Sequence, residues 1–213
     1  MFRLAILPRV ATTRKRRAAA DARDEILAAA ERRLIEHGPA ALRLQDVAAE
    51  VGVSHPAILH HFGSREGLVR AVVERAIGTL QDDLVQALAG AGKFAGDTLL
   101  DRVFDMLATR GHARLMAWLL LSGYDPLDGT EVRTKWHEII DATHAARVAM
   151  HPDRAPARED TAFTVVLSAL ALFGQAISGP STFHAAGLGR GPRVDDRFRS
   201  WLAALLGEHL TKR

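Results

Sequence analysis

The chain has 213 residues, 48% of them apolar and 6% aromatic, which suffices for one sizeable core or for a small and a larger domain. It contains no cysteine, so disulfides, thiolate metal sites and a cysteine nucleophile are excluded. The formal charge is +3 and unevenly spread: residues 1–70 hold 12 Lys/Arg against 8 Asp/Glu, residues 71–213 hold 16 against 17.

Residues 1–20 read as a flexible basic arm. Arg3, Arg9, Arg14, Lys15, Arg16 and Arg17 stand there without an acid among the first seventeen residues. Such an end suits a polyanion. The apolar part of this arm, residues 4–7, is too short for a signal segment. A helix follows over residues 21–37, its early acids suiting the helix dipole, with Ile26, Leu27, Ala30, Leu34 and Ile35 as its buried stripe. Gly38-Pro39 ends it.

Residues 42–62 hold the most specific pattern. Leu44, Val47, Ala48 and Val51 form one helical face, and Gly52 permits a sharp stop. Ser54 is placed to cap a second helix, Pro56 sits in its first turn, and Ile58, Leu59 and Phe62 follow at helical spacing. Two short helices about a glycine turn are the plan of a helix-turn-helix, whose second helix enters the major groove. His55, Pro56, Ala57 and His60 are then the side chains aimed at base edges, with Ser54 at the start. Arg43 and Gln45 open the preceding helix within reach of phosphate or base, His61 lies between packing and phosphate, and Arg65 is a phosphate clamp. Arg14, Lys15, Arg16 and Arg17 are placed to reach a minor groove or flanking phosphates.

Beyond this unit the periodicity is helical throughout. Helices are expected over 65–88, 97–109, 112–121, 130–150, 158–177 and 194–210, separated by loops at 89–93, 122–129, 151–156 and 178–193. The 158–177 helix is apolar nearly all round and should be buried on most sides. Its run 161–177 is shorter than the ~20 residues a membrane span needs, so a soluble cytoplasmic protein is expected. The class is all-α with about nine helices: arm 1–20, helix-turn-helix domain 21–66, and a helical domain 67–213.

Three stretches resemble the TetR family of transcriptional regulators: ILAAAERRLIEHG, QDVAAEVGV and SHPAILHHFGSREGL. The resemblance covers about 45 residues, and the rest of the chain matches only in helix count and length. It implies a homodimeric repressor of double-stranded DNA with a C-terminal domain for a small-molecule effector. It also implies a four-helix dimer interface from the last two long helices, here through Leu172, Phe173, Phe198, Trp201 and Leu205. Leu59 stands where the family has a phosphate-touching tyrosine, and Arg65 where it has lysine.

For the effector, Phe104, Met116, Trp118, Trp136, Ile140, Phe163, Val166 and Leu170 are the candidate lining of a pocket for an apolar or aromatic molecule. Two other readings compete. One is a DNA-associated protein whose C-terminal domain binds a protein partner, which a solid core would favour. The other is an enzyme or metal site on His137, Asp141 and His144, which share one helix face. No cofactor, metal or catalytic residue is assigned.

Overall fold

The computed structural model describes residues 10–90, 96–150 and 156–211, the side chains of 10–20, 90 and 96–98 excepted. Among the described residues there are nine α-helices and no strand. They divide into two units, Met1–Val72 and Val73–Arg213.

In the first unit α1 (Val10–His37) is followed by a 3₁₀ turn at Pro39–Ala41, then α2 (Leu44–Val51), α3 (His55–Phe62) and the start of α4 (Arg65–Gly90). α1 begins at Val10 rather than at residue 21, so the expected arm is helical from its tenth residue. Three successive alanines beside Arg and Lys are strong helix formers, which accounts for the early start. The side chains of Arg14, Lys15, Arg16 and Arg17 lie outside the described residues.

The core of this unit is Ile26, Leu27, Ala30 and Leu34 of α1 against Val47 and Ala48 of α2, Ile58 of α3 and Leu68 of α4, each 4% exposed or less. Ile35 was expected among them but is 45% exposed, because it is turned away from the stripe that ends at Leu34. The chain divides inside α4, after Val72, rather than between residues 66 and 67. Leu68, Val69 and Val72 are all fully buried, so the unit's apolar face continues along that helix.

The second unit contains the remainder of α4, α5 (Gly96–Phe104), α6 (His112–Leu121), α7 (Thr130–Met150), α8 (Arg158–Ala185) and α9 (Pro192–Thr211). The helix expected over 97–109 changes pitch at its end. Asp105–Thr109 is a π-helical segment, in which the Arg110 amide donates to the Asp105 carbonyl at 2.9 Å. The buried His112 ring sits 3.1 Å from the Met106 carbonyl through Nδ1, which therefore carries the proton. His112 thus satisfies the backbone of this irregular turn.

Two expectations about α8 are corrected. It continues to Ala185 with Pro180 inside it, so the loop expected over 178–193 shrinks to a short turn. Gly187, Gly189 and Gly191 all adopt positive φ in that turn, a conformation that suits glycine. Nor is α8 buried on most sides: Phe163, Leu167 and Leu170 are 66%, 52% and 63% exposed. At 28 residues α8 is long and apolar enough to cross a membrane by length and composition alone. Its setting is that of a bundle helix, packed on α5, α6, α7 and α9 with Thr161, Thr164 and Gln175 buried along it.

Candidate DNA-reading face and ligand cavity

The glycine turn of the first unit forms as its residues dictate. Gly52 ends α2 at φ 70°, ψ 26°, and Val53 donates back to the Ala48 carbonyl at 3.0 Å. Ser54 caps α3, its Oγ accepting from the Ala57 amide at 3.3 Å while its O–H stays available to donate. Ile58 is fully buried, whereas Pro56, Leu59 and His60 are exposed at spacings of three and one. These three share the open face of α3. His55, Ala57 and His61 are half-buried, and the rings of His60 and His61 stand 5.7 Å apart, edge to face. Arg43 and Gln45 are both exposed at the start of α2.

Several partly exposed charged groups tie this unit together. Arg32 and Arg33 both reach Glu50 at 2.7 Å, tying α1 to α2. These two guanidinium groups hold the Glu50 carboxyl below its ordinary range. Arg23 lies 5.3 Å from the centre of the Phe62 ring. Arg65 donates to Glu66 at 3.1 Å and to the Ala40 carbonyl at 3.5 Å. It is therefore also a structural residue of the α4 start, with an acid beside it.

Gly67 is a residue that sequence reasoning missed. The turn into α4 brings the Phe62 carbonyl so close that a Cβ at Gly67 would run into it. The Gly67 amide donates to the Ser64 Oγ at 3.0 Å, so Ser64 caps α4 there. A glycine three residues after a capping serine was the available signal.

The second unit contains a cavity of about 810 Å³ that opens at one side. α4 supplies Leu80, Gln81 and Leu84; α5 and the π-helical segment supply Leu100, Val103 and Met106. α7 contributes Trp136, Ile139 and Thr143, α8 contributes Thr164, Ser168 and Phe173, and α9 closes one side with Leu206 and Leu210. Among the described residues no Asp, Glu, Lys, Arg or His lines it.

Of the residues expected there, Met116, Trp136, Val166 and Leu170 line the cavity, the last two at its exposed rim. Four do not. The Phe104 ring is covered by Arg199, whose guanidinium carbon stands 3.8 Å from the ring centre. Ile140 is buried elsewhere, because it is Ile139, one residue earlier, that turns to the cavity. Phe163 is on the outer face of α8. Trp118 is half-buried on α6 away from the lining, whose residues there are Met116 and Leu120.

The comparisons with known proteins agree with this architecture. Residues 26–72 match the model for bacterial regulatory proteins of the tetR family. The chain is 30% identical over 164 residues, 76% of each protein, to the HTH-type transcriptional repressor Rv3405c of Mycobacterium tuberculosis. It is 39% identical over 70 residues, 32% of this chain and 34% of the relative, to the HTH-type transcriptional regulator BetI of Rhizobium meliloti. A crystal structure of a TetR/AcrR-family regulator from Thermobifida fusca aligns with 87% of this chain and 96% of its own at 20% identity, with TM-score 0.62.

The chain belongs to the TetR family of bacterial transcriptional regulators. It is a DNA-binding helix-turn-helix regulator, and its family and relatives are not enzymes.

In this TetR-family chain two members of the His137, Asp141 and His144 face are engaged by α8, while His137 is exposed. Asp141 pairs with Arg158 at 2.6 Å, and His144 Nδ1 is 3.3 Å from Thr161 Oγ1. Among the described residues no group of three or more His, Cys, Asp or Glu is gathered as for a metal.

The residues expected at a dimer interface divide. Leu172 is fully buried within the chain's own core, and Phe173 lines the cavity, so neither is presented outward. Phe198 is half-buried between Phe183 and Trp201, at ring distances of 5.3 and 6.0 Å. Trp201 and Leu205 are 58% and 45% exposed. With Phe163, Leu167, Leu170 and Ile177 they leave apolar stripes exposed on α8 and α9. The row 163, 167, 170 and 177, at spacings of four, three and seven, is exposed on α8 and was not singled out in the sequence.

Proposed function

We propose that this chain is a ligand-responsive repressor that acts in the cytoplasm as a homodimer on a near-palindromic operator. The cavity is the observation that carries the reading. It is ligand-sized and apolar, and the helix that lines it with Leu80 and Leu84 is the same α4 whose first residues belong to the DNA-binding unit. A protein-binding domain with a solid core would have no such space, so the cavity favours a small molecule over a protein partner.

In this reading Pro56, Ala57, His55 and His60 meet base edges, and Arg43, Gln45 and the Ser54 hydroxyl meet phosphate or base. His61 and Arg65 add contacts to the backbone, and Arg14, Lys15, Arg16 and Arg17 reach the flanking DNA. With no arginine on α3 and Leu59 in place of a phenol, readout is shared between these small contacts and DNA shape. The apolar stripes of α8 and α9, Trp201 among them, are covered by the same stripes of a second copy. Two reading helices then stand about one turn, ~34 Å, apart on DNA. The effector binds more tightly to a subunit pair whose reading helices no longer match successive grooves, and α4 carries the change.

Selecting sites from random DNA with the full-length chain tests this reading. It should return a near-palindrome bound by a dimer, with affinity falling steeply as salt rises. Failure to select any site would sink the proposal.

A further inference from the structure

We propose that the cavity takes an uncharged, largely hydrocarbon molecule bearing a hydrogen-bond donor such as a hydroxyl, and rejects carboxylates and ammonium ions. This rests on the reading of the cavity as the effector site.

The polar atoms of the lining carry the argument. Thr143 Oγ1 donates to the Ile139 carbonyl at 2.8 Å, Thr164 Oγ1 to Asp160 at 2.8 Å, and Ser168 Oγ to Thr164 at 2.7 Å. Thr211 Oγ1 does the same to Gly207 at 2.7 Å. A hydroxyl has one hydrogen, and in all four it is directed at the helix's own backbone. Each oxygen is left with lone pairs to offer. Thr164 and Ser168, four residues apart on α8, bring two such acceptors to one helix face. Gln81 and the Trp136 indole are the lining's N–H groups, and Gln81 already donates to the Val132 carbonyl at 3.2 Å.

A carboxylate in this cavity would meet acceptor lone pairs, with no cation among the described lining residues to neutralise it. An ammonium would find acceptors but no carboxylate among the described lining residues, and would keep its charge among leucines and methionines. A neutral hydroxyl donates to the threonine and serine oxygens and accepts from an N–H, while its hydrocarbon body fills the rest. The matching of donor to acceptor, more than shape, is what selects the class, because the apolar lining and its methionines adapt to shape.

The test uses the full-length chain and four probes of equal size: decan-1-ol, methyl nonyl ether, decanoate and decylammonium at pH 7. Binding is followed by calorimetry and by tryptophan fluorescence, and operator binding is measured on the same samples. Decan-1-ol should bind at least tenfold more tightly than either ion and severalfold more tightly than the ether. Combining Thr164→Val with Ser168→Ala should bring the alcohol down to the ether's affinity with the thermal transition retained. Decanoate or decylammonium binding as tightly as the alcohol would overturn the proposal, as would an ether equal to the alcohol or no binding by any probe. The wild-type series decides this even if the double variant fails to fold. The effector reading fails separately. If the alcohol binds and operator affinity does not move, the ligand class stands and the regulatory reading falls. If decanoate binds and releases operator, the reverse holds.

Discussion

The Arg147 Nη1 atom lies 2.7 Å from Asp160 Oδ2, and the same guanidinium reaches the Leu210 carbonyl at 3.3 Å through Nε. Arg147 is 3% exposed, so one buried cation joins α7, α8 and α9, three of the helices around the cavity. Thr161 accepts from it at 2.9 Å, and His209 meets the Asp160 carboxylate from α9 at 3.0 Å. Arg147→Met should destabilise the second unit by about 2–3 kcal/mol, below the full cost of breaking a buried pair because Asp160 is partly exposed and keeps His209. A lower urea midpoint, with the far-UV spectrum unchanged in buffer, is the expected result. An unchanged midpoint would show that the three-helix tie is not needed.

Acid should act in part through the two carboxylates that tie helices together. Arg147 first, then His209, holds Asp160 below its ordinary range, and Arg32 and Arg33 do the same for Glu50. Both groups bind protons more weakly when folded. Their contribution is therefore present above the unfolded values, 3.8 and 4.5, and lost as pH falls through the lower folded ones. Stability from these pairs should be flat above about pH 5 and decline below about pH 4. Since both are partly exposed, added salt should shrink the decline. Chemical denaturation across pH 3–7 at two salt concentrations checks this.

Gly67→Ala should damage the first unit selectively. The added Cβ meets the backbone carbonyl of Phe62, which cannot rotate aside, and overpacking of this kind costs about 1–3 kcal/mol. Hydrogen exchange should accelerate at α2 and α3, and operator affinity should fall, while decan-1-ol binding to the cavity persists.

Arg43→Ala should remove about one phosphate contact per subunit. The slope of log affinity against log salt should then become shallower by about 0.9 for each subunit of the dimer. His60→Ala should instead relax the base preference at one position of each half-site, with little change in slope.

The first unit was largely legible because short-range chemistry dictates it. Gly52, Ser54 and Pro56 each have one local role, and the apolar spacing of Val47, Ala48 and Ile58 points one way. Gly67 escaped because its constraint is the position of a carbonyl five residues back, set by the turn at Gly63. The cavity was legible only in part. Phe104, Trp118 and Phe163 have the size of pocket residues, but a large side chain carries no record of which side of its helix is hollow. Arg199 covering Phe104 from 95 residues away is a tertiary fact with no local trace. The glycines and Pro180 suggested a loop over 178–193, yet Phe183, buried against Phe198, draws that stretch into α8.

Replacing Leu167 and Trp201 by glutamate should convert the proposed dimer to a monomer in sedimentation, since both side chains are exposed in the single chain at 52% and 58%. The operator affinity of that monomer should drop sharply, because one reading helix per molecule forfeits the second half-site.

The most direct test of the account is the affinity of the chain for its selected operator, measured by fluorescence anisotropy with and without saturating decan-1-ol. The account predicts at least a tenfold weakening by the alcohol and none by decanoate at the same free concentration. Equal operator affinity with and without bound alcohol would contradict it.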